Sequence, residues 1–78
     1  MKPEFQLNML GIVCPDFGYS LRAFFRDNAV PPGSVIAVTA DAHNAERDVQ
    51  KLCEFGGHCF MEKAASAVGT TYLIRKGV

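Results

Sequence analysis

The first half of the chain shows a strand pattern followed by a helix pattern. Side chains from Phe5 to Met9 alternate between apolar and polar, which is the period of a strand with one buried face. Gly11 interrupts this alternation. Apolar residues then recur at the spacing of one helix face: Phe17, Leu21, Phe24 and Phe25. The sequence Pro31-Pro32-Gly33 predicts the turn that ends this unit.

The middle of the chain predicts a second strand and a second helix. The run from Val35 to Ala40 is rich in β-branched residues and indicates a central strand. Polar residues from Asp41 to Asn44 offer N-caps for a helix. The apolar face of that helix consists of Ala45, Val49, Leu52 and Cys53. Gly56-Gly57 indicates where the helix ends.

The last third of the chain predicts a β-hairpin. One strand runs from about His58 to Lys63 and the other from about Thr70 to Lys76, with Gly69 in the connection. The predicted order of elements is therefore βαβαββ. Two helices with one apolar stripe each would cover one face of a four-stranded mixed sheet, which gives an α/β two-layer sandwich. We expect residues 1–78 to form a single domain.

Composition narrows the classes of function. Eight Lys and Arg balance eight Asp and Glu, so no excess positive charge favours direct binding of nucleic acid. No segment reaches the roughly 20 apolar residues of a membrane span, and the first residues lack an apolar signal region. Three cysteines do not make a closed set of disulfides. We therefore expect a cytoplasmic protein without a membrane partner.

Cys14 is the residue with the strongest chemical signal. It comes immediately before Pro15, which suits the first position of the predicted helix. Unpaired N–H groups at a helix start favour a nearby negative charge, so a thiol there tends to be more reactive. Asp16 works in the opposite direction, because a nearby carboxylate raises a thiol pKa. The spacing alone leaves a reactive thiol and an inert apolar cysteine equally open.

The remaining cysteines and histidines predict structural roles. Cys53 falls on the apolar face of the second helix, and Cys59 alternates with Met61, so packing is expected for both cysteines. His58 is expected to be a hydrogen-bonded turn residue rather than a base for Cys14. Paired ligand spacings of a structural zinc site are missing. We therefore expect no metal and no cofactor.

The chain as a whole resembles the TusA/SirA-like family of small sulfur-carrier proteins from about Leu7 to Gly77. The residues that carry the resemblance are Leu10 to Pro15, Arg22, Pro32-Gly33, Ala40-Asp41, Arg47-Asp48-Val49, Cys53, Gly57-His58 and Tyr72 to Gly77. The resemblance implies a βαβαββ fold, in agreement with the patterns above. It also implies that Cys14 accepts a sulfane sulfur and holds it as a persulfide.

The resemblance implies partners and docking residues as well. A cysteine desulfurase or another persulfide donor would load Cys14, and a downstream protein would accept the sulfur for tRNA thiolation, sulfur oxidation or cofactor sulfuration. Residues expected to belong to the motif or to contact partners are Pro15, Asp16, Phe17, Arg22 and Asp48. For Arg22, a docking role and a solvated arginine remain equal alternatives. For Asp48, a cap or an ion pair at the start of the helix is the alternative.

Several positions depart from the family pattern. Phe17 replaces the second proline of the usual Cys-Pro-x-Pro motif, and Asn8 stands where an acidic residue is common. Ala42-His43 stands in place of Asp-Pro. If Phe17 or Tyr19 faces outward, the surface beside the thiol becomes more apolar. A sulfur relay protein, rather than a stand-alone enzyme, is the main hypothesis. The alternative is a non-catalytic regulatory or interaction module on the same fold.

Overall fold

The computed structural model describes residues 3–12, 16–27, 30–41 and 44–77. The elements follow the predicted order, and their bounds are β1 Phe5–Met9, α1 Asp16–Asp27, β2 Val35–Ala40, α2 Ala45–Gly56, β3 Cys59–Ala65 and β4 Thr70–Arg75. β1 and β2 have the predicted bounds. β3 begins one residue later and ends two residues later than predicted, because Ala64 and Ala65 continue its pairing with β4.

The four strands form one mixed sheet in the order β1-β2-β4-β3. β1 is parallel to β2, whereas β4 is antiparallel to both β2 and β3. β3 and β4 are consecutive and form the predicted hairpin, with a shift in register between Phe60 and Glu62. The predicted two-layer sandwich is confirmed. Since β1 and β2 are parallel neighbours, the residues that follow their carboxyl ends meet at one edge of the sheet.

The core lies between the sheet and the two helices. Ile36 and Val38 of β2 are fully buried and pair with Ile74 and Tyr72 of β4. The helix residues buried against them are Phe17, Leu21 and Phe25 of α1 and Ala45, Val49, Leu52 and Cys53 of α2. The predicted stripes are thus confirmed, except that Phe24 is only partly buried at the rim of the core.

The two ends of α2 differ in how they are completed. Gly57 adopts a left-handed φ of 73° at the C-cap, a conformation that glycine takes at little cost. The N–H groups of Gly57 and His58 both donate to the carbonyl oxygen of Cys53. At the other end Asn44 occupies the N-cap position, but its side chain makes no capping hydrogen bond. The predicted position of the cap is therefore confirmed, although the cap lacks the usual side-chain hydrogen bond. In the described ranges, no helix is both long and apolar enough to cross a membrane.

Candidate functional site

The predicted sulfur-carrying cysteine lies in the connection between β1 and α1. Cys14 and Pro15, together with Val13, lie outside the described residues. The described helix begins at Asp16, directly after Pro15 in the sequence. The two flanks of the connection, up to Ile12 and from Asp16 onward, therefore define what the structure shows of this site.

Hydrogen bonds fix the first flank of this connection. The N–H of Leu10 donates to Oδ1 of Asn8 at 3.0 Å, and the N–H of Ile12 donates to the carbonyl oxygen of Met9 at 3.2 Å. The N–H of Gly11 donates to Oδ1 of Asp41 at 2.9 Å. Gly11 has a φ of 84°, which a residue with a Cβ rarely adopts. The connection thus leaves the sheet along a defined path.

Asp41 is a site residue that the sequence analysis named only as a possible helix cap and as part of the family resemblance. Its carboxylate instead holds the loop after the neighbouring strand. The available signal was its position, directly after a strand that is parallel and adjacent to β1. Without the strand order, no pattern in the sequence relates Asp41 to Gly11.

The start of α1 presents a different surface from the one expected. The side chain of Phe17 is 0% exposed, since it shares the inward stripe with Leu21 and Phe25. Phe17 therefore faces the core rather than the surface beside the thiol, and its place among the motif and docking residues stays a prediction. Tyr19 supplies the exposed aromatic surface, with 65% of the residue accessible. Asp16 is exposed as well.

Arg22 is exposed and lies beside Tyr19. Its guanidinium carbon is 5.2 Å from the centre of the Tyr19 ring, within the range of a cation–π interaction. An exposed contact of this kind contributes about 0.5–1 kcal/mol. It orients the guanidinium but leaves its N–H groups available to an anionic group.

Asp48 lies on the side of α2 that faces α1. It is partly buried, and a Cβ placed on Gly18 would lie 3.9 Å from its carboxyl group. The two helices therefore approach each other closely where Gly18 meets Asp48. Of the predicted docking residues, Arg22 and Asp48 are brought together along one groove.

This groove runs between α1 and α2 and has a volume of about 620 Å³. Its apolar lining is Leu21, Phe25, Leu52 and Phe55. Its charged lining is Arg22, Arg26, Asp48, Lys51 and Lys76. We call this surface the interhelix groove. The sequence patterns did not single out Phe55 or Lys51, although Phe55 is an apolar residue outside the predicted stripe of α2. Lys76 was noted only within the family resemblance and at the end of the last predicted strand.

His58 closes one end of the interhelix groove. Its Nδ1 accepts a hydrogen bond of 2.9 Å from the N–H of Gly77, and its ring lies 4.8 Å from that of Phe25. Burial, and to a lesser extent the positive charge of Lys76, lowers the pKa of His58. The imidazole is therefore neutral at pH 7. The prediction of a hydrogen-bonded turn histidine is confirmed.

The other two cysteines have different surroundings. Cys53 is buried, and burial, with a smaller effect of Cys59, raises the pKa of its thiol to about 11. It stays protonated at neutral pH, as expected of a packing residue. Cys59 is exposed, so the prediction that it packs is wrong. Its neighbour Phe60 packs against the core, and adjacent strand residues point to opposite faces of the sheet.

Among the described residues, no group of three or more His, Cys, Asp or Glu side chains is arranged to hold a metal ion. Two of the described carboxylates make other contacts. Asp41 accepts a hydrogen bond from Gly11, and Glu46 pairs with Lys63.

Comparison with known proteins agrees with the fold and with the resemblance. No family model matches the chain. The sulfur carrier protein TusA of Pseudomonas fluorescens (strain SBW25) is 33% identical over 70 residues, which cover 90% of this chain and 82% of that protein. TusA of Pseudomonas paraeruginosa (strain DSM 24068 / PA7) is 36% identical over 70 residues, with 90% and 86% covered.

A solved structure supports the fold independently. The crystal structure of a SirA-like protein from Desulfitobacterium hafniense superposes with a TM-score of 0.72 at 23% identity. The match covers 95% of this chain and 99% of that structure. Together with the identity to curated relatives over nine-tenths of its length, this shows that the chain belongs to the TusA/SirA-like family of sulfur carrier proteins.

Proposed function

We propose that this protein is a sulfur carrier that holds a sulfane sulfur on Cys14. The observation that carries the proposal is the 33–36% identity to curated TusA proteins over 90% of the chain. Cys14-Pro15, the motif on which the family resemblance centres, is intact in this sequence.

The proposed transfer requires no oxidant and no cofactor on this chain. The Cys14 thiolate attacks the outer sulfur of a donor persulfide, R–S–SH. A new S–S bond forms at Cys14 while the S–S bond of the donor breaks, and the donor leaves as the thiolate R–S⁻. An acceptor thiolate then attacks the outer sulfur of the Cys14 persulfide in the same way. Donor and acceptor are proteins that meet the same cysteine in turn.

Helix α1 and the neighbouring part of α2 are the proposed docking surface around Cys14. Asp16 and Arg22 are exposed, and Arg22 and Asp48 share the interhelix groove. Pro15 is included from the family motif. Phe17 contributes indirectly, because its buried ring packs α1 onto the core. Its substitution for proline is therefore a packing difference and does not favour a non-catalytic module.

The test is sulfur loading followed by intact mass. The protein is incubated with a cysteine desulfurase, pyridoxal phosphate and cysteine. Because Cys59 is exposed, the experiment uses Cys59→Ser as the reference and Cys14→Ser in the same background. We expect the reference to gain the mass of one sulfur and Cys14→Ser to gain none. Absence of sulfur on the reference, or equal gain in both proteins, would contradict the proposal.

A further inference from the structure

Positive charge is concentrated in the interhelix groove although the chain has no net charge. Four of its eight Lys and Arg residues line the groove: Arg22, Arg26, Lys51 and Lys76. Within the described lining, Asp48 is the single carboxylate. Arg26 is paired with Asp27 at 2.7 Å. The other three cations have no carboxylate within salt-bridge distance among the described residues.

The exposed apolar surface of the groove is that of Phe55, which is 81% accessible. Leu21, Phe25 and Leu52 line the groove beneath it as buried residues at the edge of the core. The volume of about 620 Å³ is within the range of about 300–1,000 Å³ found for binding clefts. A large apolar side chain that enters the groove would contact these residues and cover Phe55. Apolar contact combined with a cationic rim requires an occupant that is both apolar and acidic.

The groove also extends away from the Cys14 end of α1. Its lining follows α1 from Gly18 to Arg26 and α2 from Asp48 to Gly56. At 1.5 Å per residue, the part along α1 is about 12 Å long. Three or four residues of an extended peptide, or two turns of a helix, span this length. Gly18 is two residues after Asp16, where the described helix begins.

We propose that the interhelix groove binds an acidic segment of a protein partner, with one large apolar side chain between Asp or Glu residues. The apolar side chain packs mainly on Phe55, above the buried Phe25 and Leu52. The carboxylates pair with Arg22, Lys51 and Lys76. This inference rests on the proposed function in one respect, since the partner is one that exchanges sulfur with Cys14. The groove would hold that partner while the thiols react.

The direct test uses synthetic fluorescein-labelled peptides as probes. One has Glu residues on both sides of a Phe-Leu pair, the second has Lys in place of Glu, and the third has Ser in place of Phe and Leu. Anisotropy is measured at low ionic strength with the native protein, Lys51→Glu/Lys76→Glu, Phe55→Ala and the matched control Arg75→Glu. Arg75 is exposed on β4 and outside the groove.

We expect the acidic apolar peptide to bind best, and its Kd to rise about 10-fold or more in both groove variants. The control should change it less than about 2-fold, and circular dichroism should confirm that each variant is folded. Equal binding of all three peptides, or equal binding by native and groove-variant proteins, would overturn the proposal. Self-association that the groove variants abolish, measured by sedimentation, would also overturn it and indicate a second copy as the occupant.

A second measurement separates this inference from the proposed function. The same proteins, in the Cys59→Ser background, are loaded either by a cysteine desulfurase or by glutathione persulfide. The inference predicts slower loading of the groove variants by the enzyme and native loading by the small persulfide. Failure of the reference protein to load from either donor contradicts the carrier function and leaves the peptide result to decide on the groove. Native rates for the groove variants with the enzyme contradict the inference alone.

Discussion

Oδ1 of Asp41 accepts a hydrogen bond of 2.9 Å from the backbone N–H of Gly11. Asp41 follows β2 and Gly11 follows β1, so the contact joins the ends of two parallel strands. Gly11 is three residues before Cys14 in the sequence. The loop that leads to the proposed sulfur-carrying cysteine is thus held by a side chain from another strand.

Removal of the Asp41 carboxylate should therefore slow sulfur loading without abolishing it. In Asp41→Ala the N–H of Gly11 loses its partner, at a cost of about 1 kcal/mol for this exposed hydrogen bond. Asp41→Asn keeps an oxygen acceptor at the same position and should restore most of the loading rate. The measurements are the rate of sulfur gain by intact mass and the urea midpoint.

Two outcomes would contradict this role of Asp41. Loading of Asp41→Ala at the native rate would show that the hydrogen bond has no influence on Cys14. Equal defects in Asp41→Asn and Asp41→Ala would indicate that the charge of the carboxylate matters, rather than its hydrogen bond.

Truncation of Phe17 should destabilise the protein much more than truncation of Tyr19. Phe17 is 0% exposed and Tyr19 is 65% exposed. Phe17→Ala empties a site in the core and should lower the free energy of unfolding by about 3–5 kcal/mol. Phe17→Leu, which keeps most of the volume, should lower it by up to about 1.5 kcal/mol and keep the protein folded. Tyr19→Ala should change it by less than about 1 kcal/mol, as an exposed site.

Urea unfolding followed by circular dichroism measures these differences. A stability of Phe17→Ala close to native would show that α1 does not pack through this ring. Because Phe17→Leu stays folded, it can also be tested for sulfur loading, where a native rate is expected. A large loading defect in that variant at unchanged stability would indicate that Phe17 contacts a partner directly.

The lowered pKa of His58 predicts a loss of stability at mildly acidic pH. In the unfolded chain His58 is protonated near the ordinary pKa of 6.5, whereas in the folded protein it is protonated only at lower pH. The contribution of neutral His58 to stability is therefore complete above pH 6.5 and declines as the pH falls toward the folded-state pKa. Protonation at Nδ1 would also remove the acceptor for the N–H of Gly77.

The comparison is with His58→Asn, in which an amide oxygen replaces Nδ1 as acceptor and does not titrate. Urea midpoints at pH 7.5 and 5.5 should fall more for the native protein than for the variant. Because all carboxylates titrate in both proteins, the difference between them isolates His58. An equal fall in the two proteins would show that the folded-state pKa of His58 is not lowered.

Patterns in the sequence were sufficient to predict the helices and strands and to indicate the family. Alternation at Phe5–Met9, the stripe that begins at Phe17 and the β-branched run of β2 each depend on neighbours in sequence, because strand and helix periods are local properties. The same stripe already placed Phe17 inward, as its burial confirms, whereas the family motif left its orientation open. Cys14 was identified from its motif and its place before the first helix, and the proposal that it carries sulfur rests on the relatives.

Contacts between residues far apart in the sequence could be identified only from the tertiary structure. The strand order β1-β2-β4-β3 brings Asp41 to Gly11, and the packing of α1 beside α2 gathers Arg22, Lys51 and Phe55 into one groove. Neither follows from periodicity, since a period assigns a residue to a face but does not say which other element lies against it. The sequence by itself determined the layers and singled out Cys14 as the candidate sulfur-carrying cysteine. The arrangement of the layers decided what anchors the loop before that cysteine and which surface is available to its partners.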